Sequence, residues 1–139
     1  MNFWDTSALT PLLVEEVDSE LRETQLVGEP LILVWYGTPV EIQSALSRRR
    51  RDGSLSPQQE QLAATRLAEL QATWAEVEPT SAVRDRAIRL LRVHPLRGAD
   101  AFQLAAALVA CSEKPAGFGF FTADARLREA AFAEGFRLA

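Results

Sequence analysis

Short apolar runs that alternate with segments of helical period constrain this chain more than any other feature. That alternation predicts an α/β domain built on buried parallel strands. The runs cover residues 2–4, cut off by Asp5; residues 31–36 (LILVWY), ending at Gly37; residues 75–78, the weakest, bounded by Pro79; residues 118–121 (FGFF), after KPAG; and residues 136–138. Between them, residues 56–74 read as one helix, with Ser56 as cap, Pro57 in the first turn, and Ala63, Leu67, Leu70 and Trp74 repeating on a core face. Residues 80–91 read as another, with Val83, Ala87, Ile88 and Leu91 on its apolar side and arginines largely opposite. Residues 101–111 (AFQLAAALVAC) are apolar nearly all round, which predicts a central helix covered by its neighbours. Residues 8–27 should hold two short helices broken near 17–19, with Pro11 in a first turn. Five strands make a modest doubly wound sheet, and 139 residues suffice for one core, so a single domain over 1–139 is expected.

The composition excludes several classes of function. Hydrophobic residues at 47% and charged residues at 24% are ordinary globular usage, which argues against disorder or a fibrous repeat. No apolar run approaches a membrane span, and the N-terminus lacks a basic segment with a long apolar stretch, so a cytoplasmic protein with no membrane partner is expected. Cys111 and His94 are the only residues of their kinds, which rules out an internal disulfide and makes zinc or thiol chemistry a poor expectation. A net charge of -4 argues against gripping nucleic acid by bulk electrostatics. Lys114 is the only lysine among the cations, and arginine keeps its charge and binds phosphate through two donors.

Four acids sit where segments change. Asp5 ends the first run; Glu41 follows the second, in TPVEIQSAL; Asp100 opens the apolar helix, in LRGADAFQLAAAL; Asp124 follows the fourth run, in FTADARLREAA. Each has a structural reading. Thr38, Pro39 and Glu41 have the spacing of a capping box, and an acid at a helix N-terminus gains about 0.3–1 kcal/mol from the dipole. For any one acid alone, capping and catalysis both stand. Taken together they point elsewhere, because parallel strands end on one edge and ligands bind outside those ends. Carboxylates about 4 Å apart repel by about 4 kcal/mol per pair at an effective dielectric near 20, so a shared pocket implies divalent cations or retained protons. Oxygen-only ligands favour Mg²⁺, with Mn²⁺ as a substitute, and the chemistry that follows is metal-assisted phosphodiester hydrolysis.

The ordered motifs DTSAL, PVEIQSAL, LRGADAFQLAAAL and FTADARLREAA, followed by EGF, resemble the PIN-domain family from end to end, and in size the VapC-type ribonuclease toxins of toxin-antitoxin pairs. The resemblance implies a three-layer α/β/α fold around a parallel sheet of order 3-2-1-4-5. It implies that Asp5, Glu41, Asp100 and Asp124 are the metal-binding catalytic acids, that Ser7 orients the first of them, and that Thr122 is the polar residue beside the last. Arg97, three residues before Asp100, matches a basic position that meets substrate phosphate or braces the acids. The activity implied is a Mg²⁺-dependent endoribonuclease that leaves 5′-phosphate and 3′-hydroxyl ends. The partners implied are an RNA substrate, a second copy in a homodimer, and a cognate antitoxin whose C-terminal segment covers the groove. Many relatives carry histidine three residues after the third acid; this chain has Gln103, read as peripheral. The WYGT stretch is also less typical.

Two other classes compete. An aspartyl-phosphate receiver also puts an acid at a strand end, but Lys114 follows a helix rather than a strand, and Ser7 stands where the related hydrolases want a second aspartate. A non-catalytic PIN-like module that binds nucleic acid or protein is the other; all four acids are present, so decay of the site is not indicated. Arg48, Arg49, Arg50 and Arg51 suit a helix C-terminus and read as a solvated end, with an RNA contact as the alternative. His94 reads as a loop residue, Trp4 and Trp35 as core, and Leu12, Leu13 and Leu26 as core or a partner groove.

Overall fold

The computed structural model describes residues 1–138; Ala139 lies outside the described residues. The elements are β1 (Asn2–Trp4), α1 (Thr6–Leu13), α2 (Ser19–Gly28), β2 (Ile32–Trp35), α3 (Thr38–Arg51), α4 (Pro57–Gln71), β3 (Ala75–Val77), α5 (Ser81–Val93), α6 (Gly98–Ala110), β4 (Gly119–Phe121), α7 (Ala125–Glu134) and β5 (Arg137–Leu138). All strand pairs are parallel, in the order β3-β2-β1-β4-β5, with Phe3 opposite Leu33 on one side and Phe120 on the other. The expected order and class are therefore observed. The weak third run forms an edge strand, which needs less apolar sequence than a central one.

Alternation of side chains across the sheet builds two cores. Phe3, Leu33, Trp35 and Phe120 enter one, with Val83, Leu90, Leu104, Leu108 and Leu127 from α5, α6 and α7. Trp4, Ile32, Val34 and Phe121 enter the other, with Leu9, Leu12, Ile42, Leu46 and Ala63 from α1, α3 and α4. The sheet is thus the middle of three layers, and Leu12 and Leu13 are core.

Several local expectations change. The buried face of α5 is Val83, Ala87 and Leu90, while Ile88 and Leu91 are more than 40% exposed, because the helix lies a turn-fraction away from the 83/87/88/91 stripe. Pro11 is not in a first turn: α1 starts at Thr6, capped by Asp5, so Pro11 falls near its end, and the helix stops at Leu13. The helix predicted over 56–74 ends at Gln71, although its Ser56–Gln59 capping box is present. The capping box at Thr38 and Glu41 does not form. Gly37 is the N-cap of α3, and the Glu41 side chain turns away to other partners.

Gly37 shows why the WYGT stretch ends as it does. A Cβ there would lie 2.7 Å from Nε1 of Trp35, whose ring stacks on Phe102 at 5.2 Å between centroids. The backbone is ordinary at φ -79°, so steric contact alone demands glycine. Gly37→Ala should destabilise the fold by about 1–3 kcal/mol through overpacking, measurable by urea denaturation. An unchanged midpoint would contradict this account of how α3 is seated.

Candidate active site

Adjacent parallel strands β1, β2 and β4 end on one edge, where the chain leaves them for α1, α3 and α7. Asp5 lies at the first exit, 4% exposed, and its backbone N–H donates to the Phe121 carbonyl at 3.1 Å, tying β1 to the end of β4. Its carboxylate caps α1 through the Ala8 N–H at 3.1 Å. The Ser7 hydroxyl donates to Oδ1 at 2.7 Å and the Thr122 hydroxyl to Oδ2 at 2.9 Å. Both hydroxyls are themselves held by the β4–α7 turn: Ala123 N–H donates to Ser7 and Asp124 N–H to Thr122, at 2.8 and 3.0 Å. Asp5 is therefore a cap and also the centre of a hydroxyl cradle, with Ser7 and Thr122 against it.

Burial pushes the Asp5 carboxyl up to about 6, against the opposing pull of Ser7, Thr122 and Ala8, and the charge of Asp100 adds to the rise. Asp100, in the first turn of α6, is also raised, by burial and then by the charges of Asp124 and Glu41, with Arg97 pulling the other way. The charges of Asp124 and Glu41 thus act on Asp100, and that of Asp100 acts on Asp5. Asp124 caps α7 through the Leu127 N–H at 2.8 Å. Glu41 accepts from the Thr6 hydroxyl at 2.6 Å and from Gln103 Nε2 at 2.9 Å, both on Oε2. Asp100 and Asp124, with Pro95, Arg97, Ala99, Ala125 and Arg126, line an open cavity of about 500 Å³; Asp5 and Glu41 are not in its wall. Among the described residues, no three His, Cys, Asp or Glu side chains are grouped as a ready-made cage for one ion. Asp5, Glu41 and Asp124 each lend oxygens to the protein's own donors. The donor set nonetheless fits a hard cation. It is all oxygen, and the charges of Asp124 and Glu41 raise Asp100 as that of Asp100 raises Asp5, a repulsion that a divalent ion would relieve.

Several residues at the site escaped the sequence reading. Gln103 is not peripheral: it is 1% exposed and also reaches Thr38 at 3.2 Å and Thr6 at 3.4 Å. Its position one turn after Asp100 was the available signal. Arg22 of α2 is buried behind Asp5, donating to the Thr122 carbonyl at 3.2 Å and to Gln25 at 3.0 Å. Burial lowers its proton affinity, and the charges of Asp18 and Asp5 oppose that. Nothing local in LRETQLV marks it. Arg126 lies in the cavity wall beside Asp124. Of the four consecutive arginines, Arg49 pairs with Glu16 and Arg50 with Glu60, as a solvated helix end does. His94 pairs with Glu134 at 2.7 Å.

A parallel sheet of this order, with acids at the exits of its central strands and at the start of α6, defines a class of protein, and comparison agrees: the PIN-domain family model matches residues 3–133. The chain belongs to the PIN-domain family. It is similar to Ribonuclease VapC45 and Ribonuclease VapC49 of two Mycobacterium tuberculosis strains, each 32% identical over 144 residues that cover 99% of this chain and 93% of the relative. Its fold is similar to the crystal structure of PAE2754 from Pyrobaculum aerophilum, with a TM-score of 0.68 at 18% identity, covering 99% of this chain and 87% of that one. No helix among the described residues is long and apolar enough to cross a membrane.

Proposed function

We propose that this protein is a Mg²⁺-dependent endoribonuclease, the toxin of a VapBC-type pair, with Asp5, Glu41, Asp100 and Asp124 as its metal-binding catalytic acids. The observation that carries this reading is the placement of acids from four separate segments, with Asp5, Glu41 and Asp124 where β1, β2 and β4 give way to their helices and Asp100 in the first turn of α6, close enough that the charges of Asp124 and Glu41 raise Asp100 and that of Asp100 raises Asp5. Capping cannot account for it, since Glu41 caps nothing and Asp100 makes no capping bond. The names of the M. tuberculosis relatives, ribonucleases both, favour RNA as substrate.

Bound among these acids, Mg²⁺ or Mn²⁺ would supply Lewis-acid stabilisation of phosphoryl charge and a water acidified enough to attack near neutral pH. The chain's own residues do the positioning. Ser7 and Thr122 fix the rotamer of Asp5, and the turn N–H groups of Ala123 and Asp124 fix those hydroxyls in turn. Arg22 holds the Thr122 carbonyl and places positive charge behind Asp5. Arg97 and Arg126 line the cavity together with Asp100 and Asp124, where they would bind RNA phosphate. A second copy in a homodimer, and an antitoxin segment that covers the cavity and masks the acids, complete the proposal.

The test is incubation of the free protein with an RNA oligonucleotide and Mg²⁺ or Mn²⁺. Cleavage with 5′-phosphate ends, stopped by chelation, is expected; 2′,3′-cyclic phosphate ends or undiminished cleavage in chelator would rule the mechanism out. Arg97→Ala and Arg126→Ala should each raise KM about 3- to 10-fold with kcat nearly unchanged. Each should also flatten the salt dependence of RNA binding by about 0.7 in log–log slope for every phosphate that the missing guanidinium would have neutralised. Binding measured across a salt series checks this, and an unaltered slope would remove these arginines from the RNA path.

A further inference from the structure

The geometry points to Gln103 as a positioning residue that fixes which oxygen of Glu41 is offered to a divalent cation. The inference rests on the reading of Glu41 as a metal ligand. Gln103 lies on α6 one turn after Asp100, so the two share a helix face. Its amide nitrogen donates to Glu41 Oε2 at 2.9 Å, and the Thr6 hydroxyl donates to the same oxygen at 2.6 Å. No described hydrogen bond ends on Oε1, so one oxygen of Glu41 is held by the protein and the other is left over.

The amide's own state shows what dictates its orientation. Nε2 lies within reach of three acceptor oxygens, those of Glu41, Thr38 and Thr6. Its Oε1 is buried and has no partner among the described residues. Turning the amide over would set its oxygen against the Glu41 carboxylate, which repels it. The charge of Glu41 therefore locks the amide in place, and the orphaned oxygen is the consequence. Buried polar atoms without partners are rare and are costly to keep, which is a recurring mark of functional sites. A residue there for packing alone would be replaced without loss by an apolar one of similar size.

That contrast sets the experiment. Mn²⁺ binding is measured by titration calorimetry, and melting temperature in chelator, for the wild type, Gln103→Met, Glu41→Gln and the double variant. Gln103→Leu serves as a second apolar replacement. Gln103→Met should keep or raise the melting temperature, weaken Mn²⁺ binding about 10- to 100-fold, and lower kcat with the KM for RNA unchanged. Glu41→Gln should weaken Mn²⁺ binding as well, and in that background Gln103→Met should have no further effect. If Glu41→Gln leaves Mn²⁺ binding intact, the assignment of Glu41 as a ligand fails. If Glu41→Gln weakens binding but Gln103→Met does not, or acts equally in both backgrounds, the positioning role alone is overturned. A fall in melting temperature for both Gln103→Met and Gln103→Leu, with Mn²⁺ affinity kept, assigns Gln103 to packing and also overturns it.

Discussion

Asp5→Asn is expected to abolish RNA cleavage and, in the same stroke, to make the protein more stable at neutral pH in the presence of a chelator. The loss of activity should exceed the roughly 10- to 100-fold typical of removing a residue that merely orients a metal ligand. The gain in stability follows from burial. The folded protein raises this carboxyl from 3.8 to about 6, so the native state holds its proton more tightly than the unfolded chain does. What the neutral carboxyl contributes to stability is fully present below about pH 4 and is lost as pH rises through 6. Above that, the buried charge costs about 1–3 kcal/mol, which asparagine does not incur. Asparagine keeps an oxygen for the Ala8 N–H, so the cap survives. Urea melts at pH 5 and pH 7.5 check the sign: the wild type should lose stability between them relative to the variant. An Asp5→Asn protein that cleaves RNA at the wild-type rate would remove Asp5 from the site.

Asp100→Asn should have the next largest effect, and a different signature. Asp100 feels the charges of Asp124 and Glu41 and imposes its own on Asp5, so its charge links the acids, and a site built from all four is expected to lose its hold on a cation without it. Activity should fall by at least about 10²-fold. A cation at 100 times its Kd stabilises the wild type by about 2.7 kcal/mol, a rise of several degrees in melting temperature, and most of that rise should vanish in the variant. Thermal melts with and without Mn²⁺ provide the measurement; an equal rise in both proteins would show that the cation binds elsewhere.

The site was legible in the sequence to the extent that it depends on local order. Runs such as LILVWY and FGFF announce central strands, and strands ending on one edge put Asp5, Glu41 and Asp124 there without any knowledge of distances. Asp5 could be read as a cap because the residues that decide it lie within three positions. What failed depends on contacts across long separations. Glu41 has the spacing of a capping box, yet Gly37 takes the cap, and Thr6 and Gln103, 35 and 62 residues away, take the carboxylate. Gln103 looks unremarkable in an apolar helix until its face is known to meet Glu41, and Arg22 is 100 residues from the carbonyl that it holds. On α5 a two-face pattern was right in kind, but the packing of Leu90 against α6 selected a stripe other than the one that periodicity favoured.

If four acids from four segments make a single cation site, each of them should be needed for the cation to bind. Calorimetric titration of Mn²⁺ into the wild type and into Asp5→Asn, Glu41→Gln, Asp100→Asn and Asp124→Asn tests this most directly. Saturable binding to the wild type is predicted, with a weakening of about tenfold or more in every variant. Binding of equal strength in all five proteins would contradict it.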